Sequence, residues 1–94
     1  MLRPMRESDV APAHATSVAA FDDLAARRGE PPFNHPRPEI AHIRLRHLLR
    51  TDPDGCWVAE DDRGIAGVAI AIRRDGIWGL SLLVVRPDRQ SSGL

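Results

Sequence analysis

The sequence contains no lysine, no tyrosine and only one cysteine. All 13 basic residues are arginines, which we attribute to a compositional bias, and 13 acidic residues balance them. A nucleic-acid partner is not indicated, because domains that bind nucleic acids carry a basic patch. Cys56 has no second thiol to pair with, which excludes an internal disulfide and a paired-cysteine metal site. We therefore expect a reducing compartment.

Long apolar segments are also missing. Apolar residues make up 43% of the chain, but they are too interrupted for a membrane span. The first six residues are partly basic, yet no apolar run of the length that a signal peptide requires follows them. The sequence thus predicts one small domain with a cytoplasmic location and no membrane partner.

Two helices are predicted, joined by a proline-rich loop at 30–37. The first runs from about Ala11 to Arg28, with a proline in its first turn and a glycine just after its end. The second runs from Pro38 to about Arg50 and stops before the Asp-Pro-Asp-Gly turn at 52–55. Helical spacing predicts the buried positions of each helix. They are Val18, Phe21, Leu24 and Ala25 in the first, and Ala41, Leu45, Leu48 and Leu49 in the second.

The remaining chain has the period of β structure. A short strand is predicted within residues 1–6, and three more at Cys56–Glu60, Ile65–Arg73 and Ile77–Arg86. The breaks between the last three strands are too short for a crossover helix, which predicts an antiparallel meander. In the middle one, apolar and small residues alternate, so we expect both faces of the sheet to be covered. The predicted fold class is α/β, an α+β mixed sheet in the order strand, helix, helix, three strands.

The last ten residues, VRPDRQSSGL from Val85 to Leu94, take an apolar strand through a proline into a polar loop. Successive amides in such a loop can converge on phosphate oxygens if a helix follows, and Gly93 would let the backbone approach a ligand. Taken alone, a glycine after a strand is more often a simple turn.

The same ten residues resemble the start of the acetyl-CoA motif of the GNAT superfamily of acetyltransferases. That motif follows a strand ending in Val-x-Pro with Gln/Arg-x-x-Gly-x-Gly/Ala, and this sequence stops one residue before the second glycine. The order of the upstream elements also resembles the amino-terminal half of that family. The resemblance implies that residues 1–94 form a single, incomplete GNAT domain truncated within the cofactor motif.

The resemblance also implies site residues. Backbone groups of Leu83, Val84 and Val85 would bind the pantetheine arm at the end of a bulged strand, although the same run also reads as a buried core strand. The pyrophosphate loop would begin with Gln90, Ser91, Ser92, Gly93 and Leu94. In the family, the segment between the first two helices often lines the acceptor site. This makes Phe33, Asn34 and His35 candidate substrate contacts, with a rigid connector as the alternative.

The resemblance implies an acetyl-CoA-dependent N-acetyltransferase in which a small-molecule or peptide amine attacks the thioester directly. Many relatives use a tyrosine as the acid, but this chain has none, so no catalytic residue is named. If the chain ends at Leu94, about three phosphate hydrogen bonds of roughly 1.5 kcal/mol each are lost, and we expect weak binding and weak or absent activity. The alternative is a non-catalytic α/β interaction module or a truncated remnant.

Several other residues receive structural interpretations. The four histidines lack the spacing of metal ligands, so no metal site is expected. Trp57, Trp78 and Cys56 are expected in the core. A solvated helix face explains Arg44, Arg46 and Arg50. The third β segment of the meander would be a long apolar edge, through which self-association is expected.

Overall fold

The computed structural model describes residues 1–90, which form a four-stranded sheet with two helices packed on one face. The elements are β1 (Leu2–Pro4), α1 (Val10–Arg27), α2 (Pro38–Thr51), β2 (Cys56–Asp61), β3 (Gly64–Arg74) and β4 (Ile77–Val85). Single 3₁₀ turns lie at Glu7–Asp9, Pro53–Gly55 and Pro87–Arg89. The predicted order and the α+β class are confirmed. Within this part of the chain, no helix has both the length and the apolarity of a membrane span.

The sheet has the order β1-β2-β3-β4, and each neighbouring pair is antiparallel. The predicted meander is therefore confirmed. Its tight turns depend on residues with positive φ: Gly64 at 114°, Asp75 at 54° and Gly76 at 78°. Glycine adopts these angles without a Cβ clash, which explains why both turns end in one. β4 lies at one edge of the described sheet.

The end of α2 is tied to β3 by Asp52. Its carboxylate is 5% exposed, accepts the Arg73 backbone N–H at 3.0 Å and accepts the Thr51 hydroxyl at 2.8 Å. These hydrogen bonds, together with Arg74, hold the pKa of Asp52 below its usual value. The turn predicted at 52–55 thus also connects a helix to the sheet.

The core lies between the sheet and α1. Val58, Val68 and Ile70 are almost fully buried, and Ala13 and Ala20 of α1 pack against them. The predicted buried face of α1 was partly wrong, because its most buried stripe is made of small residues that let the helix approach the sheet closely. For α2 the predicted face is confirmed, since all four of its residues are buried or pack against the core.

The opposite face of the sheet is not covered by any described helix. Its small residues Gly67 and Ala69 lie beside Leu2, Trp57 and Leu83 in an open pocket of about 260 Å³. The expectation that both faces are covered is therefore wrong for residues 1–90. The small residues that permit close packing in this fold belong to α1.

Both tryptophans were wrongly assigned to the core. Trp57 is 37% exposed and Trp78 is 47% exposed. Trp57 lies on the open face and donates its indole N–H to the Asp54 carbonyl at 2.8 Å. Trp78 lies against Gly55, at the far end of β4 from the candidate site. Their size made them look like core residues, but the register of the sheet places them at its periphery.

Candidate cofactor-binding site

The backbone at the end of β4 has polar groups that point out of the sheet. The Arg86 N–H donates to the Ala66 carbonyl of β3 at 2.7 Å. Because hydrogen-bonded and non-hydrogen-bonded pairs alternate along an antiparallel ladder, Val84 is bonded to β3. The N–H and C=O groups of Leu83 and Val85 therefore point away from β3, toward the edge.

A β-bulge lies in the middle of β4. Ile70 is opposite Leu82, but Ala71 is opposite Leu80, which leaves Ser81 as an extra residue. A bulge bends its strand and increases the local twist. The bulge implied by the sequence resemblance is therefore present, and it lies in the strand that carries the candidate residues.

A pocket of about 290 Å³ lies between α1 and the end of β4. The described members of the predicted cofactor set all line it: Leu83, Val84, Val85 and Gln90. Ala20, Phe21 and Leu24 of α1 form its other wall. The remaining predicted residues, Ser91, Ser92, Gly93 and Leu94, lie outside the described residues.

Side chains and backbone have different roles at the end of β4. Val84 is 6% exposed and packs in the core, as expected for a buried strand. Leu83 is 65% exposed, so its side chain adds little to the core. Near its end the strand is thus anchored by Val84, while the neighbouring backbone groups of Leu83 and Val85 face the edge.

Gln90 connects the end of β4 to α1. Its side-chain amide donates to the Val85 carbonyl at 3.0 Å, and its amide oxygen accepts from Arg27 at 2.6 Å. Of the outward groups at the edge, the Val85 carbonyl therefore already has a partner. Arg27 is exposed and also pairs with the Asp23 carboxylate at 2.9 Å.

Arg86 anchors the segment that follows β4. Its guanidinium lies 2.6 Å from the Asp61 carboxylate, and Asp88 contacts both Arg86 and Arg63. The hydrogen bond from Arg86, with one from the Arg63 backbone, lowers the pKa of Asp61 to about 2. We did not predict this network from the sequence, because its partners lie 25 residues apart and no local pattern pairs them.

The candidate substrate residues lie in the loop between α1 and α2. Phe33 packs edge-on against Phe21 with ring centroids 5.4 Å apart, and His35 Nε2 lies 2.7 Å from an Asp22 carboxylate oxygen. His35 lines a second pocket of about 170 Å³. Asn34 is exposed and lines neither this pocket nor the one at the end of β4.

The two pockets are neighbours. Phe21 lines both of them, and the adjacent β4 residues Leu82 and Leu83 line one each. We predicted Phe21 as a core residue and missed its place between two pockets. Its position on the apolar face of α1 was the available signal.

The remaining reactive side chains include Cys56, His14 and His42. Cys56 is fully buried, and burial raises the pKa of its thiol, which opposes a nucleophilic role. His14 and His42 pack edge-on at 5.2 Å. Among residues 1–90, no group of three or more His, Cys, Asp or Glu side chains could hold a metal ion.

No protein-family model matches the sequence, and no curated protein matches it. Solved structures do match the fold. A proposed acetyltransferase from Pyrococcus horikoshii gives a TM-score of 0.79 at 18% identity, covering 100% of this chain and 30% of its own. A GNAT family acetyltransferase from Brucella melitensis, in complex with acetyl-CoA, gives a TM-score of 0.69 at 24% identity. The match covers 100% of this chain and 59% of the Brucella chain.

A third structure, the GNAT-like decarboxylase GphF in complex with isobutyryl-CoA, gives a TM-score of 0.61 at 18% identity. It covers 97% of this chain and 51% of its own, so this chain spans less than two thirds of each of the three matched structures. The chain has a GNAT-like fold. Since the matches include a decarboxylase, the fold alone does not identify the reaction.

Proposed function

We propose that this chain carries the cofactor-binding strand of an acetyl-CoA-dependent N-acetyltransferase, which acetylates a primary amine on a small molecule or peptide. The observation that carries the proposal is the outward-facing backbone of Leu83 and Val85 beside the pocket at the end of β4. The matched structures from Brucella melitensis and of GphF, solved with acetyl-CoA and isobutyryl-CoA, support an acyl-CoA ligand. We further propose that residues 1–94 belong to one domain of this enzyme and that it acts in the cytoplasm.

The described residues fit a pantetheine arm. Such an arm is an extended chain with two amides, and it can pair with a sheet edge as an added strand would. The Leu83 N–H and C=O and the Val85 N–H offer alternating donors and acceptors. The apolar wall formed by Ala20, Phe21 and Leu24 suits the methylene groups between the amides.

The proposed acetyl transfer uses the backbone N–H groups at the end of β4. Acetyl-CoA supplies an activated thioester, which an amine can attack directly. Backbone N–H groups near the end of β4 are suited to stabilise negative charge that develops on the carbonyl oxygen. We assign the pyrophosphate to residues 90–94, a segment that begins at Gln90 beside Arg27. No residue of this chain is assigned as the base or the acid.

The decisive variant is Leu83→Pro. Proline removes the Leu83 N–H, which points away from β3, and therefore breaks no hydrogen bond of the β3–β4 ladder. Leu83→Ala is the matched control, since it shortens the same side chain and keeps the N–H. Calorimetric titration at high acetyl-CoA concentration should show weak, saturable binding by the unmodified chain and by Leu83→Ala, with affinity at least about tenfold weaker in Leu83→Pro.

A second measurement covers the case in which the proline disturbs the fold. Amide signals of Leu83 and Val85 in the unmodified chain should shift on addition of acetyl-CoA, more than those of β2. The proposal fails if acetyl-CoA gives no saturable shifts, or if Leu83→Pro and Leu83→Ala bind it equally well. Either result would favour a non-catalytic interaction module.

A further inference from the structure

The second pocket, between α1, α2 and the proline-rich loop, has a polar rim over an apolar floor. Phe21, Leu45 and Leu82 form the floor. His14, His35 and Arg44 contribute to the rim. None of the described residues that line it is acidic. A ligand bound here would therefore meet apolar surface below and basic or neutral groups above.

Arg44 is the charged group of this pocket. It is exposed and forms no ion pair with any residue in 1–90. It lies one turn from Ala41 and beside Leu45, at the border of the buried face of α2. The sequence predicted a solvated position for Arg44, and the structure shows that Arg44 also borders this pocket. A guanidinium without a carboxylate partner at the mouth of an apolar pocket can bind an incoming anion.

The histidines make the surroundings unfavourable for further positive charge. Burial lowers the pKa of His14, and the nearby His42 and His35 lower it further. Asp22 lies at the rim through its contact with His35, at 2.7 Å. Arg44 is therefore the cation of this rim that has no carboxylate partner among residues 1–90, which suits a ligand with a carboxylate.

We infer that this pocket binds a carboxylate carried on a small apolar body, with Arg44 holding the carboxylate and Phe21, Leu45 and Leu82 contacting the apolar part. Because Phe21 and β4 join this pocket to the one at the end of β4, the ligand would be the amine acceptor itself, an apolar amino acid or a compound like it. The identification of the ligand as the amine acceptor rests on the proposed function, whereas the binding of a carboxylate by Arg44 does not depend on it.

Three small probes separate the features of such a ligand. L-Leucine carries the amine, the carboxylate and the apolar body, 4-methylpentanoate lacks the amine, and 3-methylbutylamine lacks the carboxylate. Each is titrated into the unmodified chain at pH 7.5, and amide and imidazole signals are followed by NMR. L-Leucine and 4-methylpentanoate should give saturable shifts centred on His14, His35 and Arg44, and 3-methylbutylamine should not.

Arg44→Gln should weaken 4-methylpentanoate binding about tenfold or more, since it removes a charge-assisted hydrogen bond. Arg50→Gln is the matched control, because Arg50 is exposed on the same helix but does not line the pocket. The inference is overturned if 3-methylbutylamine binds as well as 4-methylpentanoate, if no probe gives saturable shifts, or if both variants bind equally. Carboxylate binding without acetyl-CoA binding would refute the proposed function and leave this inference standing.

Discussion

Gly55 lies where the backbone of β3 leaves no room for a side chain. A Cβ at this position would be 1.9 Å from the Ala71 carbonyl oxygen and 2.8 Å from the Trp78 ring. The carbonyl belongs to a strand with neighbours on both sides, so it cannot move away cheaply. We expect Gly55→Ala to lower the free energy of unfolding by about 3 kcal/mol, measured by urea denaturation.

Gly79→Ala is the control for this effect. Gly79 lies in β4, and the nearest atom to an added Cβ is the Ile72 carbonyl oxygen at 4.0 Å, an ordinary contact. The free energy of unfolding of the Gly79→Ala variant should stay within about 0.5 kcal/mol of that of the unmodified chain. Equal losses in the two variants would show that backbone crowding at Gly55 is not the cause.

Asp61 gives the fold a dependence on acid pH. Its pKa, about 2 in the folded chain, is below the unperturbed value of 3.8 because of hydrogen bonds from Arg86 and the Arg63 backbone. A carboxylate with a lowered pKa stabilises the folded state above its unfolded pKa, and that stabilisation is lost as pH falls from about 4 to about 2. Asp61→Asn should therefore be less stable than the unmodified chain at pH 7, with the difference shrinking below pH 4.

The control for Asp61→Asn is a carboxylate that has no hydrogen bond from Arg86 or from the Arg63 backbone. Asp62 is exposed and forms no hydrogen bond or ion pair within residues 1–90, so Asp62→Asn should follow the unmodified chain across the pH range. Urea denaturation at half-unit steps from pH 2.5 to 7 measures both. A stability difference for Asp61→Asn that is independent of pH would refute the pair with Arg86 as its origin.

At the scale of elements, local chemistry was enough to predict the helices, strands and turns. Pro38 suits the first turn of a helix, and α2 begins there. Gly29 has φ of 66°, which fits the end of α1, and Gly76 forms the turn between β3 and β4. These signals act between residues a few positions apart, which is why they can be recognised in one sequence.

Contacts between distant elements were not predictable in this way. The bulge at Ser81 depends on the register between β3 and β4, and only the family resemblance suggested it. The position of Trp57 on the open face depends on which side of the sheet the helices cover. The pairing of Arg86 with Asp61 joins two separate strand ends. In each case the determining contact is long-range, and apolarity alone gives no information about it.

The candidate site was also predictable only where local sequence determines it. Leu83, Val84, Val85 and Gln90 were named from the motif that ends the sequence, and the structure brings them to one pocket. The wall contributed by α1 was not foreseen, because it requires knowing how α1 crosses β4. Whether these residues bind acetyl-CoA stays a prediction.

At the scale of the whole molecule, the outer side of β4 is an apolar surface. It has no neighbouring strand among residues 1–90. Ile77, Trp78, Leu80 and Leu83 are between 47% and 73% exposed along it. Edge strands in stable monomers are shortened, charged or covered, because a flat apolar edge pairs readily with another chain. Over its nine described residues this edge is neither short nor charged, and the bulge at Ser81 interrupts it at a single position.

We expect the chain to self-associate through β4 as its concentration rises. Light scattering over a dilution series should show an apparent mass that decreases toward the monomer on dilution. Leu80→Lys places a charge in the middle of the edge, and it should move association to a concentration at least about tenfold higher, since facing copies would oppose like charges and bury a lysine.

Ile43→Lys provides the matched control, because Ile43 is 62% exposed and belongs to α2, outside the sheet. It adds the same charge and removes a similar apolar area, so any general effect of net charge on association appears in both variants. If Ile43→Lys suppressed association as strongly as Leu80→Lys, β4 would not be the contact surface. A monomer with cooperative unfolding at every concentration would show that the exposed apolar edge is tolerated without a partner.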